Sequence, residues 1–189
     1  MISQALHFTS ETLGQFLKNR FQLDEGKTIL NNVIEATGLI PQENQNKVVL
    51  SLINIEKETA QPFYNRNQQL MGGDFADTAP AERFNLDLLV SANFDDYNET
   101  LKFLNATILF FQINNVLDAT KSAAIPQGLS KLEFDIEKIN YQQMQGLWTA
   151  MGAKYQPSVI YKMRLVTIQG DEATGLTPAV KETRNLAEA

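Results

Sequence analysis

Between residues 83 and 114 the apolar residues change period once, from that of a strand to that of a helix. Phe84, Leu86, Leu88 and Val90 fall on one face of an extended segment, with Asn85, Asp87 and Ser91 on the other. Past Asp95 and Asp96, the residues Tyr97, Leu101, Leu104, Ile108 and Phe111 follow a 4-3-4-3 spacing, widened by Phe103 and Phe110. A half-buried strand (83–93) that leads into a helix (96–114) with so broad an apolar stripe leaves few folds open. The helix must lie across a sheet as the main core element, which makes the chain α+β. The two acids at its start suit the helix dipole.

The remaining segments extend this frame. Ile2, Ala5, Leu6, Leu13, Phe16, Leu17 and Phe21 predict a first helix over 2–22, with Ser3 as its N-cap. Residues 28–37 carry Ile29, Val33, Ile34 and Thr37 and read as a short strand, closed by a loop with Gly38 and Pro41. Residues 47–58 read as a strand that starts apolar on both faces and ends charged. A second alternating strand spans 131–139, a short helix 141–152 stopped by Gly152, and a last strand 157–169. Strand, short helix and strand form a β-α-β unit of about the minimum crossover length, so the two strands are expected to be neighbours. The expectation is one domain over 1–169, with a mixed or mainly antiparallel sheet of four to five strands packed by two long helices and one short one.

Two segments stand apart. Residues 59–82 show no period yet hold Phe63, Tyr64, Leu70, Met71 and Phe75, which reads as an adhesive arm that packs on another subunit. Residues 170–189 are charged, rich in Thr and Ala, and read as a flexible tail or a second arm that orders on a partner.

Composition removes most chemistry. The chain has no cysteine and one histidine, His7, so it offers no thiol nucleophile, no disulfide framework and no Cys/His zinc site. His7 and Glu11 are four apart but have no second histidine to complete a metal site, and they read as an exposed pair. Phosphate-cradling glycine motifs and a nucleophile elbow are absent, and Gly72-Gly73 reads as a turn. The two glycosylation sequons at Asn98 and Asn105 lie in the expected helix and carry no weight. The net charge of −6 disfavours nucleic acid as a partner. No apolar run reaches the ~18 residues of a membrane span, and the N-terminus shows no signal sequence. A soluble acidic domain in the cytoplasm is the expectation. Glu133, Asp135 and Glu137 line one strand face; they read as a solvated face, with a cation or paired-carboxylate site, or an acidic stripe that meets a basic partner, as the alternatives. Lys154, Lys162 and Arg164 gather near Tyr155 and Tyr161 and read as a protein–protein surface before a nucleic-acid one.

The run from Trp148 to Arg164, WTAMGAKYQPSVIYKMR, is distinctive, as are Met1 to His7, Lys47 to Glu56, Phe94 to Tyr97 and Phe110 to Gln112. With these runs the chain resembles the cap, or tail-terminator, protein of contractile injection systems, the phage-tail-like machines of the antifeeding-prophage and Photorhabdus virulence-cassette type. The resemblance covers about residues 1–169. It implies a tail-terminator-like fold and a six-fold ring on the baseplate-distal end of sheath and inner tube. Such a ring ends polymerisation and holds the last sheath ring, without enzyme activity or cofactor. It implies further copies of the chain, sheath protein and tube protein as partners, with no nucleic acid and no direct membrane insertion. Assembly would take place in the cytoplasm, in a particle later released or anchored through other components. Another structural part of the same particle is the alternative, and a small enzyme built on carboxylates a distant third. The interface candidates are Glu133, Asp135, Glu137, Lys154, Tyr155, Lys162, Arg164, Phe63, Tyr64, Met71 and Phe75. Within one sheet, the acidic stripe and the basic patch could equally pair with each other.

Overall fold

A computed structural model of the chain describes residues 1–58, 67–69, 75–78, 82–118, 125–127, 129, 131–168 and 173–177. In chain order they form α1 (Ile2–Phe21), β1 (Thr28–Leu30), a 3-10 turn (Gln42–Asn44), β2 (Lys47–Lys57), β3 (Asn67–Gln69) and β4 (Phe75–Thr78). Then follow β5 (Glu82–Asn93), α2 (Tyr97–Ile113), β6 (Val116–Asp118), β7 (Lys131–Ile136), α3 (Tyr141–Met151), β8 (Ser158–Ile168) and β9 (Ala173–Thr177).

Six strands make one sheet in the order β1-β2-β5-β8-β7-β6, antiparallel except for the parallel β1–β2 edge. The sheet is mixed, as expected, but has six strands where four to five were expected. The missed strand, β6, has three residues, too few to show a period. Alternation along the strands builds the core. Leu86, Leu88 and Val90 of β5 are buried on one face with Val48, Leu50, Leu132, Phe134, Tyr161 and Met163. α1 and α2 cover that face. α1 lies close against β1 at Gly14, where a Cβ would sit 2.5 Å from the Thr28 hydroxyl. That hydroxyl donates to the Ser10 carbonyl at 3.3 Å.

The expected α2 stripe is turned on its axis. Tyr97 is 63% and Leu101 44% exposed, whereas Phe103, Ala106, Thr107, Phe110 and Phe111 are buried. Phe103 stacks on Phe94 at 4.4 Å and meets Phe21 at 4.9 Å; Phe110 meets Phe16 at 5.4 Å. Phenylalanines bury more area than the aliphatics, and small residues between them let the helix sit close to the sheet. Asp96 caps α2 by accepting from the Asn98 N–H at 2.8 Å. α1 differs at its start: Ser3 lies inside the helix, and Met1 stands at the N-cap without a side-chain bond.

The expected strand over 28–37 ends at Leu30. Asn31 and Asn32 turn the chain away and fasten it to the buried Asn44, which takes an N–H from Asn31 at 2.9 Å and donates to the Asn32 carbonyl at 2.8 Å. Val33 and Ile34 then pack under α3. α3 is held by a capping box between Asn140 and Gln143 and ends at Gly152 with φ 70°.

β7 and β8 are neighbours, as expected, but run antiparallel. A β-α-β crossover would make them parallel. The chain instead leaves and re-enters the sheet at the same end, so α3 is an excursion over that end of the face opposite α1 and α2. Together with Val33 and Ile34 it covers Leu89 and Ile160 there and does not extend over the charged strip at the other end of that face.

The segments read as two separate arms contribute to one second sheet, β3-β4-β9. Glu82 pairs with Ile168, and Thr78 pairs with Ala173. Relative to the Glu82–Ile168 register, the β4–β9 pairing is offset by one residue at Thr78 and by two from Asp77 to Phe75. Phe63, Tyr64, Met71 and residues 178–189 lie outside the described residues.

Phe103→Ala is expected to cost about 3–5 kcal/mol in urea unfolding, and Leu101→Ala less than about 1 kcal/mol. Equal losses would contradict the rotated stripe.

Candidate assembly surfaces

The part of the sheet face beyond α3 is a ladder of charges. Register sets Glu133 opposite Arg164 and Asp135 opposite Lys162, and Asp87 opposite both Lys162 and Asn54. Arg164 Nε donates to Asp135 Oδ2 at 2.8 Å, and Lys162 Nζ donates to Glu56 Oε2 at 3.0 Å. Lys162 also lies 3.9 Å from Asp87, and Lys131 pairs with Glu133. The acidic stripe and the basic pair thus meet within one sheet, the alternative left open by the sequence. The hydrogen bond to Glu56 raises the Lys162 pKa above its ordinary value, with Asp87 and Glu137 adding to the effect. Among the described residues no cluster of three or more His, Asp or Glu side chains could hold a metal ion.

The ladder is not fully paired. Asn85 Oδ1 and Asp87 Oδ1 are buried with no hydrogen-bond donor among the described residues. A buried acceptor without a donor costs about 1–3 kcal/mol. Exposed pairs such as Asp135–Arg164 (60% and 43%) contribute about 1 kcal/mol or less.

Strand alternation splits the basic cluster seen in the sequence. Tyr161 points to the opposite, core face and stacks on Phe111 at 4.1 Å. Lys162 and Arg164 face the acids. Lys154 and Tyr155 lie past α3, exposed, in the connection to β8. Tyr155 meets Trp148 edge to face at 5.7 Å, and the Trp148 Nε1–H donates to Met144 Sδ at 3.2 Å. With Ile139, Tyr141 and Thr149, these three line an open groove of about 830 Å³ beside α3. Ile139, Tyr141 and Met144 are not among the expected interface residues; the sequence marks Met144 only as part of the apolar face of the short helix. Their signal was a helix with more large apolar residues than one sheet face takes up.

Of the other expected interface residues, Glu137 is exposed and Phe75 opens β4; Phe63, Tyr64 and Met71 are not described. His7 and Glu11 are exposed on α1. No helix among the described residues is long and apolar enough to cross a membrane.

The model of the Pvc16 N-terminal domain matches residues 9–182. The chain belongs to the Pvc16 N-terminal domain family. Its fold is similar to the PVC sheath/tube terminator of an extracellular contractile injection system, solved by cryo-EM in the extended state. That likeness has a TM-score of 0.62 at 11% identity over 93% of this chain and 61% of the terminator chain. It is also similar to the tube-terminating cap of the anti-feeding prophage, with a TM-score of 0.52 at 13% identity over 73% of this chain and 48% of the cap chain. The chain therefore spans about half to three-fifths of those proteins. No curated protein matches it.

Burial drives the Tyr161 pKa up from 10.0 to about 12. The unfolded chain loses this proton first, so stability is expected to fall as pH rises from 10.0 towards 12. Thermal melts of Tyr161→Phe across that range should show a smaller decline than the unsubstituted protein.

Proposed function

We propose that this Pvc16 N-terminal domain protein is a terminator subunit of a contractile injection system. It forms a ring, six-fold by resemblance, on the baseplate-distal end of sheath and inner tube. There it ends polymerisation and holds the last sheath ring. The observation that carries this reading is the family match over residues 9–182, joined to the fold likeness to a sheath/tube terminator over 93% of the chain.

The geometry is consistent with such a part. The body acts by shape and multiplicity rather than by covalent chemistry, and needs no cofactor. A ring subunit needs two different surfaces that meet in the same way at every contact. The exposed acids at the edge of the ladder, Asp135 and Glu137, offer acceptors to a partner's donors, which fixes register more than it adds affinity. The β3-β4-β9 sheet, whose strand β4 begins at Phe75, is the arm that meets a neighbour or the sheath. Partners are further copies, sheath protein and tube protein; nucleic acid is not one. Assembly takes place in the cytoplasm.

In particles from cells lacking this protein, electron microscopy should show sheaths of uneven length that shed their last rings. Sheaths of uniform, normal length and stability would overturn the reading. Reversing Asp135 and Glu137 together to lysine should weaken assembly, while the fold loses no more than about 1 kcal/mol in urea unfolding.

A further inference from the structure

The groove beside α3 has a counterpart elsewhere on the same molecule. Tyr141 is 96% and Tyr155 61% exposed at its rim. From 138 to 157 the chain carries two lysines, Lys138 and Lys154, and no Asp or Glu. Both lysines are exposed, and neither forms an ion pair among the described residues. In a chain of net charge −6, the segment that lines this aromatic hollow is locally basic, although the exposed Glu137 immediately precedes it.

On the other flank of α3, Val33 and Ile34 anchor a turn against Leu147 and Met151. The turn is closed by the Glu35 N–H donating to the Leu39 carbonyl and the Gly38 N–H donating to the Glu35 carbonyl, each at 2.9 Å. Gly38 supplies the φ of 80° that the turn requires. At the tip, Leu39 is 67% and Ile40 47% exposed. From 28 to 46 the chain carries two glutamates, Glu35 and Glu43, and no Lys or Arg. Both glutamates are exposed.

The two features are complementary in character: an ordered apolar tip between acids, and an apolar hollow whose lining segment is flanked in sequence by Lys138 and Lys154. The turn is anchored on the Leu147 flank of α3, and the groove opens on the Tyr141 flank. A turn fixed in this way is out of reach of its own groove, so its match lies in another copy. We propose that the Leu39–Ile40 turn of one copy seats in the α3 groove of the next, with Glu35 and Glu43 meeting Lys138 and Lys154. The contact uses two different patches, so it runs head to tail and either closes into a ring or continues as a filament. It deepens the terminator reading by naming the subunit contact, and it rests on that reading only for closure.

The absence of cysteine makes the test direct. Thr149 lines the groove and is exposed. Leu39→Cys and Thr149→Cys chains, purified separately, are mixed and oxidised, and the products are separated on a non-reducing gel. A mixed dimer is expected in excess of the homodimer that either chain gives alone. Adding Lys138→Glu and Lys154→Glu to the Thr149→Cys chain should abolish it. Adding Glu35→Lys and Glu43→Lys to the Leu39→Cys chain should then restore it. Circular dichroism confirms that each variant is folded. No excess of mixed dimer, or a mixed dimer indifferent to the charge reversal, overturns the contact. If particles still carry end rings in that case, the terminator reading stands without it. If the mixed dimer forms as expected but end rings are absent, the contact stands and the terminator reading fails.

Discussion

The stacking of Phe111 on Tyr161, at 4.1 Å, ties the parts of this molecule together. Phe111 also meets Phe134 at 5.1 Å and Phe110 at 5.0 Å, so one ring joins α2 to both β7 and β8. Once Tyr161 faces α2, alternation leaves no choice for its neighbours. Met163 must follow it into the core, and Ile160, Lys162 and Arg164 must face the other way. The same parity sends Leu132 and Phe134 inward and Glu133 and Asp135 outward. The charge ladder is therefore a consequence of the core. Moving Tyr161 off Phe111 by a one-residue slip would bury Lys162 and Arg164 under a helix, at a cost no pairing there could offset.

How much of this was readable depended on how many residues spelled each signal. β5 is clear because Phe84, Leu86, Leu88 and Val90 hold one face, with Leu89 the one apolar residue on the other, and α3 because Gly152 marks its end. Tertiary context decided the rest. The α2 stripe could not be phased from Leu101 and Ile108 alone, since spacing does not distinguish a leucine at the margin from a phenylalanine at the centre. β1 and β6 are edges of three residues, held by their neighbours rather than by a pattern. The direction of β8 is where the pattern misleads most. A helix between two strands suggested a crossover, but Val33, Leu89 and Ile160 gave α3 an apolar seat at the end of the sheet it had just left. For the charged candidates, the pairing of acidic stripe and basic patch within one sheet is an alternative the sequence holds open, whereas proximity in sequence groups Tyr161 with Lys162 and strand parity puts them on opposite faces.

The antiparallel return of β8 also explains why the face under α3 has two characters. An excursion of this length covers only the end of the sheet from which it leaves. Leu89 and Ile160 lie beneath it and are apolar, while Asp87, Asp135, Lys162 and Arg164 lie beyond it and are charged. Had α3 crossed the sheet, a charged strip would have no place on that face. Its presence, and the acceptors of Asn85 and Asp87 that lack donors, follow from the length and direction of one connection.

Net charge is a poor guide to such a molecule, because local sign and global sign differ. The chain carries −6 overall, yet the twenty residues around α3 hold only lysines and the stretch after β1 only glutamates. With a Debye length of about 8 Å at physiological salt, copies in contact sense these local biases rather than the total. Like charge at long range keeps free copies apart, and opposite charge at short range selects one pairing among many. Lysine and glutamate rims around an apolar centre add little affinity in water, but they make every other register of the same apolar surfaces unfavourable. A contact built in this way is weak singly and specific in orientation. Closure into a ring would make each such contact intramolecular, so modest pairwise affinity suffices for a stable assembly.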